Sequence, residues 1–224
     1  TQLEYVESEK WRTALLNPAC TFYELLRSSV ESPAMIIYLD TVSSRGDGTR
    51  IANENYAREL LELFTFGVDN GYDQTDIVEV SKCWTGWTVS KMDLTNAFNP
   101  FATPQSGALS NTVGSWVFRY NSAWHNTGIK RVFTNKFVPA RFGAPYTTKT
   151  YGTNTVPGLY ELIIPSRSGT NSIQDGYEVI QHLANLPFTQ EYISVKLCRL
   201  FVHDGFTHGY DFADPNLSPE GQLV

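Results

Sequence analysis

Helical periodicity marks both ends of this chain and is missing from its middle, between residues 99 and 170. Before that stretch, apolar residues repeat at helical spacing from Ile51 to Phe66. A further helix is predicted to begin near Asp73, because Asp73 and Asp76, three residues later, form an acidic first turn that complements the helix dipole. Because the amphipathic pattern returns at Asp175, the chain is predicted to hold a loop-rich insertion between two sets of helices.

Capping residues mark where several helices begin and end. Ser32 and Pro33 form an N-cap followed by proline at the first helical position, and the helix is expected to run to Leu39. Pro187 is expected to stop the helix that starts near Asp175, and Thr189 is expected to cap the last one. The apolar stripe of that last helix comprises Ile193, Leu197, Leu200 and Phe201.

The insertion is rich in Gly, Pro, Ser, Thr and Asn, but two runs within it have the composition of strands. One covers residues 115–120, and the other covers residues 131–133 with 136–138 following it. Residues 1–224 are therefore predicted to form one mainly α domain. The insertion at 99–170 is predicted to carry a short β-hairpin or small sheet.

Composition excludes several classes of function. The 224 residues carry a formal net charge of −6, and only 18% are charged, against roughly 25% in ordinary soluble domains. An acidic chain lacks the basic stripe that nucleic-acid binding needs, so no nucleic-acid partner is expected. The longest apolar run, Ala34–Leu39, is far shorter than the ~18 residues of a membrane span, so no transmembrane segment is expected either.

Three cysteines, Cys20, Cys83 and Cys198, lie too far apart for a zinc clip. Cys83 and Cys198 each fall within an apolar helical pattern, which favours buried thiols over a disulfide between them, although spacing alone does not decide the pairing. The sequence has no G-x-S-x-G, Walker or G-x-G-x-x-G motif. No metal site and no cofactor are predicted.

The densest polar pattern lies between Asn53 and Glu62. Glu54, Arg58 and Glu62 are four residues apart and share one helix face, and Glu59 belongs to a second polar ridge beside it. One interpretation is an exposed ladder of ion pairs, each worth a few tenths of a kcal/mol. The other is a site of paired carboxylates, with one acid and one base. The pattern alone favours the ladder.

Two tryptophans lie on either side of Gly86, which is expected to end a helix. Trp84 is predicted to belong to the core, and Trp87, beyond the helix end, is the better candidate for stacking against a ligand or partner. Trp124 and His125 lie together in the insertion. A single loop histidine is more often a hydrogen-bonded residue than a metal ligand.

Several of these motifs, taken in order, are similar to the signature of the domain-of-unknown-function family 1800. They are Pro33-Ala34-Met35, Tyr38-Leu39-Asp40, Asn53 to Leu63, Gly67-Val68, Gly71-Tyr72, Asp76-Ile77, Thr85-Gly86-Trp87, Trp124 to Lys130, and the helix Val195 to Val202. The resemblance extends from about Trp11 to Val202. Where the family usually has His-Asp followed by Gly and Lys, this chain has Asn126 after His125, which weakens any His-Asp dyad.

The resemblance implies that this chain is part of a longer protein and that the protein is exported. Family members are usually about twice as long, with a further helical half upstream, and they are often exported by bacteria. By resemblance, this chain corresponds to the middle and C-terminal portion of such a protein, and an exported location, periplasmic, extracellular or membrane-peripheral, is expected. No reaction follows from the family itself.

Two functions fit these observations. The first is an accessory or structural subunit of an exported or membrane-associated assembly, which binds other protein subunits through an aromatic, charge-poor surface. Asn53, Asn55, Trp87 and Trp124 are its candidate contacts. The second is an exported hydrolase acting on a glycan or other polymer, with paired glutamates as acid and base. Its candidate catalytic residues are Glu54, Arg58, Glu59, Glu62 and His125.

Overall fold

A computed structural model describes residues 2–48, 51–91, 100–101 and 116–224. The helices are α1 (Gln2–Leu15), α2 (Phe22–Val30), α3 (Pro33–Tyr38), α4 (Asn55–Glu59), a π-helix (Leu60–Thr65), α5 (Gln74–Cys83), α6 (Gln174–Ala184), α7 (Pro187–Phe201) and α8 (Pro219–Leu223). The strands are β1 (Trp87–Lys91), β2 (Trp116–Tyr120), β3 (Lys130–Val132) and β4 (Leu162–Ile164). A mainly α fold with a small amount of sheet was predicted, and it is confirmed.

Two of the predicted helix starts are capped by side chains: Ser32 is the predicted cap of α3, and Asp73, predicted as part of an acidic first turn, is the cap of α5. The Ser32 hydroxyl accepts a hydrogen bond from the Met35 amide at the start of α3. Asp73 accepts from the amides of Thr75 and Asp76, and the Asp76 carboxylate accepts from the Asp73 amide in return. This reciprocal capping satisfies donors that have no partner within the helix, which is why α5 begins at this point.

The helix predicted from Ile51 begins later, at Asn55, directly after a turn that the Asn53 side chain closes. The Asn53 side-chain oxygen accepts from the Asn55 amide at 2.9 Å. The helix then continues from Leu60 as a π-helix, in which the Thr65 hydroxyl donates to the carbonyl of Leu60, five residues earlier, at 2.7 Å. Short π segments occur often at functional sites, so this helix is of interest beyond its packing.

Each predicted run contributes one strand, and the two strands do not pair with each other. The second run is a strand only as far as Val132, because Phe133 has a φ of +58° and residues 136–138 form a single bridge, Phe137 with Leu159. Within the described residues, β1 pairs antiparallel with β2, from Trp87 opposite Tyr120 to Lys91 opposite Trp116. A separate antiparallel pair joins β3 to β4. A short hairpin or small sheet was predicted, and the described residues form two small two-stranded sheets, because β2 pairs with the strand that follows α5 rather than with β3. Ser115, the first residue of one predicted run, lies outside the described residues.

The start of α7 differs from the prediction. Thr189 was expected to cap this helix, but Pro187 is its first residue and Leu186 occupies the cap position. Proline suits the first helical position because its missing N–H has no partner there and its φ angle is already helical. Thr189 is instead buried within the first turn.

The core is unusually aromatic. Phe66 stacks on Phe188, with ring centroids 4.7 Å apart, and Trp87 stacks on Phe118 at 4.8 Å. Aromatic residues make up 13% of the chain, and many of them are interior, including the predicted core residue Trp84. Helices α2, α3, α5 and α6 pack around these rings, with β3 against α5 and β4 against α6.

Cys83 is buried in this core, as predicted, and burial raises the pKa of its thiol. It is a free thiol, as are Cys20 and Cys198. In the part of the chain that the structure describes, no helix combines the length and apolar character that crossing a membrane requires.

Candidate functional site

The predicted polar ladder forms on α4 and the π-helix. Arg58 lies between two carboxylates, with one guanidinium nitrogen 3.4 Å from Glu54 Oε2 and another 3.2 Å from Glu62 Oε1. Gln74, at the start of α5, donates to Glu54 at 2.7 Å and accepts from Arg58 at 3.1 Å. All three charged side chains are partly exposed to solvent, so each ion pair contributes only a few tenths of a kcal/mol.

The other residues predicted around this ladder have separate positions. Asn53 ties the helix start to the loop before it, with its side-chain amide donating to the Asp40 carbonyl at 3.1 Å. Asn55 is exposed at the first helical position, and Glu59 is half-buried. Among the described residues, the Glu59 side chain makes no hydrogen bond or ion pair. Of the three predicted carboxylates, Glu54 and Glu62 are therefore paired with Arg58, and Glu59 lies apart from them.

The aromatic candidates lie in different environments. Trp87, expected to face a ligand or partner, is fully buried, and its ring also contacts Trp84 and Tyr177. The physical reason is that β1 turns inward directly after Gly86, so the indole enters the core. Trp124 is half-buried, and the guanidinium of Arg45 lies 3.8 Å from the centre of its ring.

His125 belongs to a closed polar network that joins the insertion to α6. Its Nε2 lies 3.0 Å from Asp175 Oδ2, and Lys130 Nζ lies 2.5 Å from the same oxygen and 3.2 Å from His125 Nε2. The side chains of His125, Lys130 and Asp175 are all 0% exposed. Three ionisable groups therefore share one enclosed space, at the junction between β3, the loop before it and the first turn of α6.

The remaining atoms of this network are also paired. His125 Nδ1 lies 2.8 Å from the Thr85 carbonyl, which accepts only, so Nδ1 carries a proton. Lys130 Nζ also donates to the Asn126 carbonyl. On the far side, Arg167 donates to Asp175 Oδ1 at 2.9 Å and to a second α6 carboxylate, Glu178, at 2.6 Å. Both Asp175 oxygens thus face a cation.

The electrostatics of Asp175 follow from these contacts. Burial raises the pKa of the carboxyl group, but its contacts with His125 and Lys130 outweigh burial and hold its pKa below the ordinary value. Asp175 is thus an anion held between Lys130 and Arg167. The side chains of His125, Lys130 and Asp175 are fully buried and give a substrate no access, whereas the Arg167–Glu178 end of the network is partly exposed. The buried part of the network therefore joins the insertion to α6.

Asp175 is the functional-site residue that sequence reasoning missed. The departure at Asn126 suggested a weakened His-Asp dyad, yet a carboxylate fifty positions further along the chain contacts His125. The Asn126 side chain has a local task instead, accepting from the Gly128 amide at 3.0 Å. The only signal available in the sequence was that Asp175 opens a helix, which on its own indicates a dipole contact.

No group of three or more His, Cys, Asp or Glu side chains suited to a metal ion is found in the described ranges. Several concave sites do exist. A cavity of about 630 Å³ lies between β4, α6 and the loop 149–153. A smaller apolar groove of about 180 Å³ lies among α1, α2, the π-helix and α7, lined by Trp11, Leu63 and Ile193 among others. The ladder carboxylates line neither one.

The groove continues into an exposed apolar surface on α7. Leu197, Leu200 and Phe201 follow Ile193 at helical spacing, and Leu200 and Phe201 are 73% and 78% exposed. The opposite side of α7 is buried. We call the set Trp11, Leu63, Ile193, Leu197, Leu200 and Phe201 the α7 face. The stripe predicted from the sequence therefore exists, with Ile193 half-buried in the groove and Leu197, Leu200 and Phe201 facing solvent.

Fold and site together define a mainly α protein with a buried ionic network and an uncovered apolar helix face. Residues 4–210 match the model of the family described as Protein of unknown function (DUF1800), and the chain belongs to that family. No curated protein and no solved structure matches the chain.

Proposed function

We propose that this protein is an accessory or structural subunit that binds another protein through the α7 face. The observation that carries this proposal is the exposure of Leu197, Leu200 and Phe201 beside a ready-made apolar groove. Soluble proteins seldom leave clustered large apolar side chains on one helix face without a use for them. Burying an exposed Leu or Phe side chain contributes about 1.5–3 kcal/mol to binding, so Leu200 and Phe201, the two most exposed, make a substantial anchor.

The partner that fits is an amphipathic helix of another protein chain. The groove is bounded by helices, and the exposed stripe from Ile193 to Leu200 rises about 10 Å, or two helical turns. A helix laid along it would present apolar residues at i, i+3, i+4 and i+7, which is the usual pattern of helix-in-groove recognition. Lys196, exposed at the groove, favours an acidic flank on that partner helix.

The setting that we propose is an exported or membrane-associated assembly, on the strength of family membership and the earlier resemblance. The hydrolase alternative draws less support from the geometry. Glu54 and Glu62 are paired with Arg58, and His125 is enclosed. Among its candidates, the Glu59 side chain is half-buried and has no partner within the described residues, and Glu59→Gln is the variant that tests this alternative.

Site-specific photocrosslinking in cells of the source organism tests the binding role. A photoreactive phenylalanine analogue replaces Phe201 in one variant and Thr155, an exposed polar loop residue, in the control. We expect one discrete adduct with a second protein chain from position 201 and none from position 155. The absence of any adduct at 201, or the same adducts from both positions, contradicts the proposal.

A further inference from the structure

The 630 Å³ cavity lies away from the α7 face and has no role in the function proposed above. Its volume is within the range of about 300–1,000 Å³ typical of ligand sites. Leu162, Ile163 and Pro165 line it from the β4 side, and Tyr151 lines it from the loop 149–153. These residues make the lining mostly apolar.

One main-chain position at this cavity is open to a further strand. The main-chain amide of Arg131 in β3 donates to the Glu79 carboxylate on α5, and the amide of Phe133, just beyond β3, donates to Asp76. These two N–H groups therefore point away from β4. Arg131 is opposite Ile163, and the pair is therefore one that exchanges no hydrogen bonds. It follows that the N–H and C=O of Ile163 point away from β3, toward the free edge of β4.

The same edge is already capped by a side chain next to the cavity. Asn154 Nδ2 donates to the carbonyls of Leu159 and Glu161, at 3.2 and 2.7 Å. Residues 159, 161 and 163 follow the alternation of an extended chain, so Ile163 is the next position along this edge. Within the described residues, no side chain forms a hydrogen bond with the main chain of Ile163 as Asn154 does with Leu159 and Glu161. Ile163, the first position on this edge that Asn154 does not contact, lines the cavity.

The polar groups around the cavity suit an uncharged ligand with amide groups. Arg167 and Glu178 neutralise each other at 2.6 Å, which removes one cation and one anion from the lining. Gln181 on α6 and Asn185, which directly follows α6, line the cavity with side-chain amides. The Lys149 ammonium lies 5.2 Å from the centre of the Tyr151 ring, at the exposed rim. These groups offer both donors and acceptors but no cluster of like charge.

We propose that this cavity binds a short, extended peptide segment of another protein, which adds to β4 as a strand. Ile163 supplies the main-chain hydrogen bonds, the apolar lining receives an alternate side chain of the peptide, and the side-chain amides of Gln181 and Asn185 face its other edge. This is strand addition at a sheet edge, in which the main chain gives affinity and the lining gives selectivity. The site is built from other elements than the α7 face and does not depend on it.

The test uses the isotope-labelled protein and a capped probe peptide, acetyl-Thr-Val-Thr-Val-Thr-amide. In nitrogen–proton correlation spectra, we expect the Ile163 amide to shift during titration and its exchange with solvent to slow. An analogue methylated on its three central nitrogens cannot donate to the edge, and its affinity should fall about tenfold or more, as expected for lost main-chain hydrogen bonds.

A pair of variants locates the site. Thr153→Trp places a large side chain at the cavity wall and should weaken peptide binding about tenfold or more. Thr155→Trp, two residues away and outside the lining, should leave it unchanged. The proposal is overturned if Ile163 does not respond to the peptide. It is also overturned if the methylated analogue binds as well as the parent, since the cavity would then accept apolar groups without strand addition.

Discussion

Replacing Asp175 by Asn removes the anion at the centre of the buried network and keeps its shape. Lys130, which is 0% exposed, then loses its carboxylate, and Arg167 loses one of its two. Removing one member of a buried ion pair costs about 3–5 kcal/mol, because the charge left behind has neither water nor a counter-ion. That is a large part of the 5–15 kcal/mol by which domains are usually stable.

Urea unfolding followed by far-ultraviolet circular dichroism measures this change. With a slope of about 3 kcal/mol per molar urea, the midpoint of Asp175→Asn should fall by about 1–1.7 M. Combining it with Lys130→Met removes the unpaired cation, so the double variant should be destabilised by clearly less than the two single variants added together. A single-variant cost below about 1 kcal/mol, or strict additivity in the double variant, would refute the reasoning.

The remaining predictions concern groups of contrasting exposure. Arg58→Met, in the solvated ladder, should lower the free energy of unfolding by less than about 1 kcal/mol in the same urea assay. Burial lowers the pKa of His182 from 6.5 to about 4, so only the unfolded chain binds a proton between those pH values. The stability should therefore fall by roughly 3 kcal/mol as the pH drops from 6.5 to 4, and His182→Gln should flatten that dependence in urea titrations at each pH. In Gly176→Ala, the added Cβ would lie 2.7 Å from the buried Trp87 ring, so overpacking should lower the free energy of unfolding by about 1–3 kcal/mol, which thermal unfolding would show as a lower melting temperature.

Contacts between residues close together in the chain could be predicted from the sequence. Ser32 and Asp73 cap their helices through neighbours within three residues, and Arg58 meets both of its glutamates one turn away. Interactions of this kind depend only on spacing along the chain, which a sequence states directly. They fix where helices start and which polar residues share a face, and the mainly α fold follows from them.

Long-range pairing was not readable in the same way. The contact between His125 and Asp175 depends on how the insertion folds back onto α6, and β2 could have paired with β3 as easily as with β1 on composition alone. Helix α7 is apolar on two sides, and periodicity does not say which side the core takes. Trp87 was misplaced for the same reason, because only the direction of the chain after Gly86 decides whether its ring faces inward.

We propose that the α7 face contacts the partner and that the carboxylates of α4 and the π-helix take no part in that contact. This proposal is tested most directly by the yield of the photocrosslinked adduct from position 201 in two backgrounds. We predict that the adduct persists when Glu54, Glu59 and Glu62 are all changed to Gln, and that it disappears when Leu197 and Leu200 are both changed to Asp in a chain that still folds. Loss of the adduct in the first background, or its survival in the second, would contradict this account.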